Sequence, residues 1–410
     1  MKTRICTIVA VLGALVSMTG TLLADPEWVV RSSGSPYNLM EVQFIDAAAG
    51  LAVGEGGVIL QTADGGAHWT PAASGTTVAL HAVEMASTSV GIVDGSDGTI
   101  LRTTDGGTTW APVSSGTGVA LWGACFSDGQ NGTIVGQEGT ILRTTNGGQT
   151  WQSQVSNTGV TLYEVEFTDA LTGTVVGQDG TILRTVDGGA HWVTQATGEA
   201  ELDFFGIHFL DAMKGIVVGE FGIIRVTTDG GATWTSQASL TTNNLLAVHF
   251  FDTKRGTAVG VNGTIVTTTD GGATWETQAS GTTKTLNEVF YSAVDKIVVV
   301  GEGGLVLTKT FGTSTSVATL DAPTVFSLGQ NYPNPFNPST VVNFTLPAAG
   351  QVRIAVYDGL GREVAELVRG ELPAGVHAVS FNAAGFSSGT YYCRMQAGSF
   401  TQTRTMLLMK

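Results

Sequence analysis

The sequence predicts an all-β chain: a seven-bladed β-propeller whose N-terminal strand closes the last blade, followed by a small Ig-like β-sandwich. Three observations carry this. The stretch GTILRTTDGGTTW (98–110) recurs at a nearly constant step. Each copy sits among three other short apolar runs separated by glycine. The repeat stops near residue 314, and a different strand-and-turn pattern then runs to the end.

The first element is an export signal over 1–24. Lys2 and Arg4 precede an apolar run from Ile5 to Leu23, and the small residue Ala24 marks a cleavage point before Asp25-Pro26. No other segment reads as a membrane span.

Residues 25–314 form the repeat region. Tryptophans fall at 69, 110, 151, 192, 234 and 275, steps of 41, 41, 41, 42 and 41. An upstream glycine keeps the same beat at 54, 95, 136, 177, 219, 260 and 301, which makes seven copies. A period near 41 is that of propeller blades. One unit holds four strand-like pieces: LYEVEF (162–167), GTVVG (173–177), GTILRT (180–185) and WVTQAT (192–197). The seventh unit, VVVGEGGLVLTKTFGTS (298–314), lacks the Asp-Gly-Gly and the Trp. An orphan piece at the N-terminus, WVVRSSGSPYNL (28–39), matches WTPAASGTTVAL (69–80), and Trp28 lies 41 residues before Trp69. The N-terminal strand is therefore expected as the fourth strand of the last blade, which closes a ring; an open solenoid needs no such permutation.

A linker follows at 315–325. The last region, 326–410, opens on prolines that preclude a helix, in NYPNPFNPST. Alternating runs follow, TVVNFTL, QVRIAVYD, AVSFNA, TYYCRMQ and TRTMLLM, with turn signals between them.

Composition narrows the function. The formal net charge is −15, so there is no excess of basic residues for a nucleic acid partner. Of three cysteines, Cys6 belongs to the signal, while Cys125 and Cys393 fall in different domains, and no Cys/His spacing suits zinc. The sequence calls for no cofactor and no metal.

The recurrent turn has a local explanation. Asp64, Asp105, Asp187, Asp229 and Asp270 can accept hydrogen bonds from their own turns, and the glycines permit positive φ. Asn146 stands in one copy and carries no charge, which argues against an ionic role. Trp69, Trp110, Trp151, Trp192, Trp234 and Trp275 would pack on the hairpins. These residues resemble the Asp-box, or bacterial neuraminidase repeat, Ser/Thr-x-Asp-x-Gly-x-x-Trp, which Thr103 to Trp110 fit throughout. In that family the box is a fold element. The unbroken spacing over about 26–314 resembles the photosystem II stability/assembly factor propellers. The C-terminal region resembles the type A sorting domain of the type IX (Por) secretion system, through Asn331-Tyr332-Pro333-Asn334-Pro335-Phe336-Asn337-Pro338, VYDGLGREV (356–364), GTYYCRM (389–395) and TRTMLLMK (403–410). That resemblance implies passage across the outer membrane and release or surface attachment.

Candidate sites come from repeat positions that vary. The residues entering the first strand are Met40, His81, Trp122, Tyr163, Phe205, Leu246 and Asn287. His81, Trp122, Tyr163 and Phe205 are consecutive and bulky. Loops after the second strand carry Glu55, Asp97, Glu138, Asp179, Glu220 and Glu302. An aromatic cluster with an acidic rim can bind a peptide, a sugar or a cationic partner. Arg102, Arg143 and Arg184 share one position in three successive blades, a partial counterpart of the arginine patch that the assembly-factor resemblance implies. Glu166, His208 and His249 sit at one position of adjacent blades, where a metal could in principle bind, although polar groups lining a central channel explain them as well. A sialidase-like hydrolase needs an arginine triad with a Tyr/Glu pair, so Arg102, Arg143, Arg184 and Tyr163 keep that alternative open, against blades of uniform length. The reading is an exported, non-enzymatic propeller that binds a protein or glycan at the cell surface and meets the secretion machinery through its C-terminal domain. A photosystem-assembly scaffold is a further alternative.

Overall fold

The structure is a computed structural model that describes residues 28–195, 201–293, 296–311, 325–331, 334, 336, 338–372 and 375–409. The expected signal at 1–24, the expected linker from 315 to 324, and Tyr332, Pro333, Pro335 and Asn337 of the proline motif lie outside the described residues. The chain divides into two compact units, up to Gly312 and from Thr313.

The first unit contains seven four-stranded antiparallel sheets. In blade four, for example, the strands run Leu162–Phe167, Gly173–Gly177, Ile182–Thr185 and Val193–Thr194. The innermost strand of every blade packs on those of both neighbours, including the first blade on the seventh, so the ring is closed. The two ends of the repeat region share the closing blade. In blade seven, Leu286–Ala293, Lys296–Gly301 and Leu305–Thr310 are completed by Val29–Ser32, with Val30 opposite Leu307. Trp28 packs into the core between blades six and seven.

The second strand of blades one to six is buried along its whole length, because neighbouring blades cover both its faces. That is why it reads as an unbroken apolar run. Its first residue is glycine for a steric reason. A Cβ at Gly173 would lie 2.7 Å from ring atoms of Phe167. The Phe167 ring in turn meets Trp192 edge-on, with centroids 6.1 Å apart and planes at 86°. The same Gly–Phe–Trp contact recurs in blades one, three, five and six; blade two has Met85 in place of the Phe, and blade seven has Ile297 opposite Tyr291 where the others have the Gly and the Phe.

The recurrent turn bonds to itself. In one copy Asp270 Oδ1 accepts from the Thr268 hydroxyl at 2.8 Å and the Thr274 N–H at 2.9 Å, while Oδ2 accepts from the Thr274 hydroxyl at 2.6 Å. Gly271 and Gly272 have φ of 73° and 84°, which a side chain would strain. Asn146 keeps the Oδ1 bonds to Thr144 and Thr150, and its amide donates to the Thr150 hydroxyl that an Asp would accept from.

The second unit is two facing sheets over one core. Ser327–Leu328, Ser339–Leu346 and Gly375–Asn382 form the first; Glu363–Leu372, Gly350–Tyr357, Gly389–Ala397 and Phe400–Leu408 form the second. The proline motif pins the final strand. Phe336 N–H donates to Leu407 O at 2.9 Å, Met409 N–H to Phe336 O at 3.0 Å, and Leu407 N–H to Asn334 Oδ1 at 2.7 Å. The sequence pattern predicts no strand at Glu363–Leu372, yet one forms there. Its run EVAELVRGEL has helix-forming residues and charges in place of clean alternation, and pairing with Gly350–Tyr357 decides its state.

Candidate functional site

Every innermost strand begins with a β-bulge at the same place. The ladder skips one residue in each: Met40, His81, Trp122, Tyr163, Phe205, Leu246 and Asn287. A bulge frees a residue from the pleat and re-aims its side chain. Here the seven line one cavity of about 240 Å³, together with Glu41, Glu164 and Glu288. The four bulky residues singled out from the sequence thus come together as a continuous arc. His81 stacks on Trp122 at 4.1 Å and 8°, Trp122 meets Tyr163 edge-on at 6.2 Å, and Tyr163 meets Phe205 at 5.3 Å.

Hydrogen bonds hold the arc. His81 Nδ1 donates to Leu121 O at 2.6 Å, and Nε2 lies 3.4 Å from the Ser96 hydroxyl. Burial pushes the imidazole pKa down, so the ring is neutral. Tyr163 donates its hydroxyl to Asp203 Oδ2 at 3.2 Å; burial first, and then the Asp203 charge, raise the phenol to about 12. Glu55, Asp97, Glu138, Asp179 and Glu302 are exposed in the loops on this same face, with Glu220 half-buried.

The arginines are elsewhere. Arg184 pairs with Thr174, which faces Glu166, so it stands near the far end of the blade from Tyr163. Arg102 Nε donates to Gly147 O at 2.6 Å, in the turn of the next blade. The Arg143 and Arg184 guanidiniums lie against Gly188 and Gly230 of the following turns. These three residues link blades, and the structure does not bring them together with Tyr163 or the aromatic arc.

Below the mouth the channel continues as a second cavity of about 260 Å³. Its lining explains why half-buried acids stand here. The innermost strand of a blade has no neighbour on its channel side, so some of its N–H groups need side-chain acceptors. Glu41 takes Val83 N–H at 2.7 Å, Glu166 takes Phe209 N–H at 2.8 Å, Glu164 takes Val165 N–H at 2.9 Å and Glu288 takes Val289 N–H at 2.8 Å. Gln43 bonds Glu84 and takes Met85 N–H at 2.8 Å. Burial is the first cause that raises all five carboxyls, Glu84 to about 7 and Glu164 to about 8, with Glu41, Glu166 and Glu288 also held well above their usual range. His208 lies 3.9 Å from Glu166 and 4.8 Å, ring to ring, from His249; burial lowers His208 to about 4, and burial and then His208 hold His249 well below its ordinary value. Among the described residues no group of three or more His, Cys, Asp or Glu side chains is placed to hold a metal ion.

Sequence reasoning missed Glu41, Glu164 and Glu288, although their repeat position alternates Glu with Ala and Gly in a readable way. It also missed Phe221 and Leu240. Both are bulky, about two-thirds exposed, and held at φ of 51° and 62°. Their loops touch on the mouth face, since a Cβ at Gly222 would meet Thr241 O. The same left-handed conformation recurs at equivalent positions, Asp97, Glu138, Asp179 and Asn262 for Phe221 and Asn157 for Leu240, so the repeat sets the backbone and only the exposed apolar side chains are particular to these two loops.

Comparison with known proteins agrees with this architecture. A family model described as "Photosynthesis system II assembly factor YCF48" matches residues 23–159, 154–241 and 236–322. One described as "Secretion system C-terminal sorting domain" matches 330–409. Among solved structures, YCF48 bound to D1 peptide is 18% identical with a TM-score of 0.60, over 72% of this chain and 99% of that one. YCF48 from Cyanidioschyzon merolae is 21% identical with a TM-score of 0.59, over 69% and 98%. The GH74 enzyme of Niastella koreensis is 13% identical with a TM-score of 0.60, and 59% of its length is covered by 77% of this chain. These identities establish a shared fold. No curated protein matches the chain by sequence.

Proposed function

The chain belongs to the photosynthesis system II assembly factor YCF48 family and ends in a secretion-system sorting domain, and from that premise we propose that it is an exported, non-enzymatic propeller whose channel-mouth face binds an extended peptide segment of a partner protein. The sorting domain indicates export to the surface or the medium. It directs the chain away from an internal photosynthetic membrane, so what we carry over from the family is peptide binding rather than photosystem assembly. One relative is solved with a peptide bound, which supports a peptide over a glycan as the ligand.

The observation that carries the reading is the arc His81–Trp122–Tyr163–Phe205, raised by bulges into a concave mouth. Rigid aromatic rings offer large contact area at low entropy cost. The exposed pair Phe221 and Leu240 extends the apolar surface outward along the same face. A hydrolase has less support, because the arginines stand apart from Tyr163.

Selection from a random peptide library on the full chain, followed by fluorescence-polarisation titration, tests this. Binding should saturate and weaken at least tenfold in Trp122→Ala and Tyr163→Ala, with thermal melts showing both variants folded. A library that yields no binder, or binders indifferent to both substitutions, overturns it.

A further inference from the structure

The mouth is chemically lopsided: acids line it, and among the described residues no lysine or arginine answers them. The mouth cavity and the channel below share Glu41, Glu164, Leu246 and Glu288 as walls. No lysine or arginine is among the described residues lining either cavity, so no internal cation pairs with these acids. Each of Glu41, Glu164 and Glu288 spends one oxygen on a backbone N–H, and among the described residues the other has no hydrogen-bond partner. Above them stand the faces and edges of Trp122, Tyr163 and Phe205, which attract a cation through their quadrupoles. His81, stacked on Trp122, is neutral and does not oppose it.

Resting on the peptide-binding reading, we propose that the mouth receives one basic side chain of the bound peptide, a lysine or arginine, whose aliphatic stem lies against Trp122 and Tyr163 and whose cationic head meets Glu41, Glu164 and Glu288.

This occupancy has a proton signature. In the free protein burial raises all three acids, Glu164 to about 8, with Glu41 and Glu288 held well above the ordinary carboxylate range. Their charged and titratable neighbours are Glu84, Glu166, Cys125, His208 and His249 in the channel, His81, Tyr163 and Asp203 at the rim, and Asp94 behind Glu164. An entering cation favours the carboxylate. The acid O–H bond breaks, the proton leaves to solvent, and the ammonium or guanidinium pairs with the oxygen left behind. Affinity should therefore rise with pH, towards tenfold per unit for each proton released.

The test titrates the full chain with labelled nine-residue peptide libraries in which the central position is Lys, Arg, norleucine or Glu and the rest is random, at pH 6, 7 and 8.5. The lysine and arginine libraries should bind at least tenfold tighter than the norleucine library, and the gap should widen with pH. Glu164→Gln and Glu288→Gln keep an acceptor for the backbone N–H and should flatten that slope. Calorimetry of the unaltered protein in phosphate and in Tris, which differ in ionisation enthalpy, should report proton release without any variant. Norleucine binding as tightly as lysine at every pH overturns the proposal and leaves peptide binding standing. No binding by any library overturns both.

Discussion

At the turn end of six blades the same side chains recur, with Asn146 for Asp in one; at the mouth end the same backbone carries seven different ones. Thr268, Asp270, Gly271, Gly272 and Trp275 have counterparts in five other blades, with bonds of nearly the same length. The bulge at the other end is also repeated, yet it presents Met, His, Trp, Tyr, Phe, Leu and Asn in turn. A repeat fold keeps constant what every unit needs to stack and leaves free what only the assembled ring uses.

The contrast can be broken first at the turn end. Trp275 is 3% exposed, its indole N–H has no partner among the described residues, and its ring meets Phe250 edge-on at 5.9 Å, so its role is packing. Trp275→Ala should cost about 3–5 kcal/mol in chemical denaturation, the usual range for a buried Trp. Peptide binding per folded molecule should stay unchanged. A variant that keeps its stability and loses binding would put function at the wrong end.

The two ends also respond oppositely to pH. Glu84 and Glu164 titrate at about 7 and about 8 in the folded chain, against 4.5 when free, so the folded state holds more protons across that window. Stability should accordingly fall as pH rises from about 4.5 to 8. In Glu164→Gln that alkaline decline should be shallower, measured as the midpoint of thermal unfolding against pH. An unchanged slope would mean that Glu164 is not a source of it.

The smallest effect is the mirror image. Hydrogen bonds from Thr274, first its hydroxyl and then its N–H, hold Asp270 down to about 2, and Asp229 and Asp187 reach about 2 through the equivalent donors. Their contribution is present above about 3.8 and is lost as pH falls towards 2. Asp270→Asn, which copies Asn146, should trim that acid decline slightly without moving the alkaline one. A large loss at neutral pH would show that the charge, and not the hydrogen-bond pattern, holds the turn.

Much of this was legible in the chain. The 41-residue beat, the seven glycines and the orphan Trp28 segment state a closed ring, because strand, turn and packing preferences are local and repeat with the sequence. The arc of His81, Trp122, Tyr163 and Phe205 was also readable, since equivalent positions of successive blades must be neighbours around an axis. Less was visible in the C-terminal unit, where the charged strand Glu363–Leu372 takes its state from pairing rather than from its own pattern.

The tertiary structure alone decided the rest. It turned Arg102, Arg143 and Arg184 away from the mouth and into contacts with neighbouring blades, because the same repeat position fixes a height on the blade as well as an angle around it. It also made Glu41, Glu164 and Glu288 into a floor whose carboxyls are held above their ordinary range. The sequence names those carboxyls, but only ring closure sets them together, half-buried, around one cavity whose described lining holds no lysine or arginine.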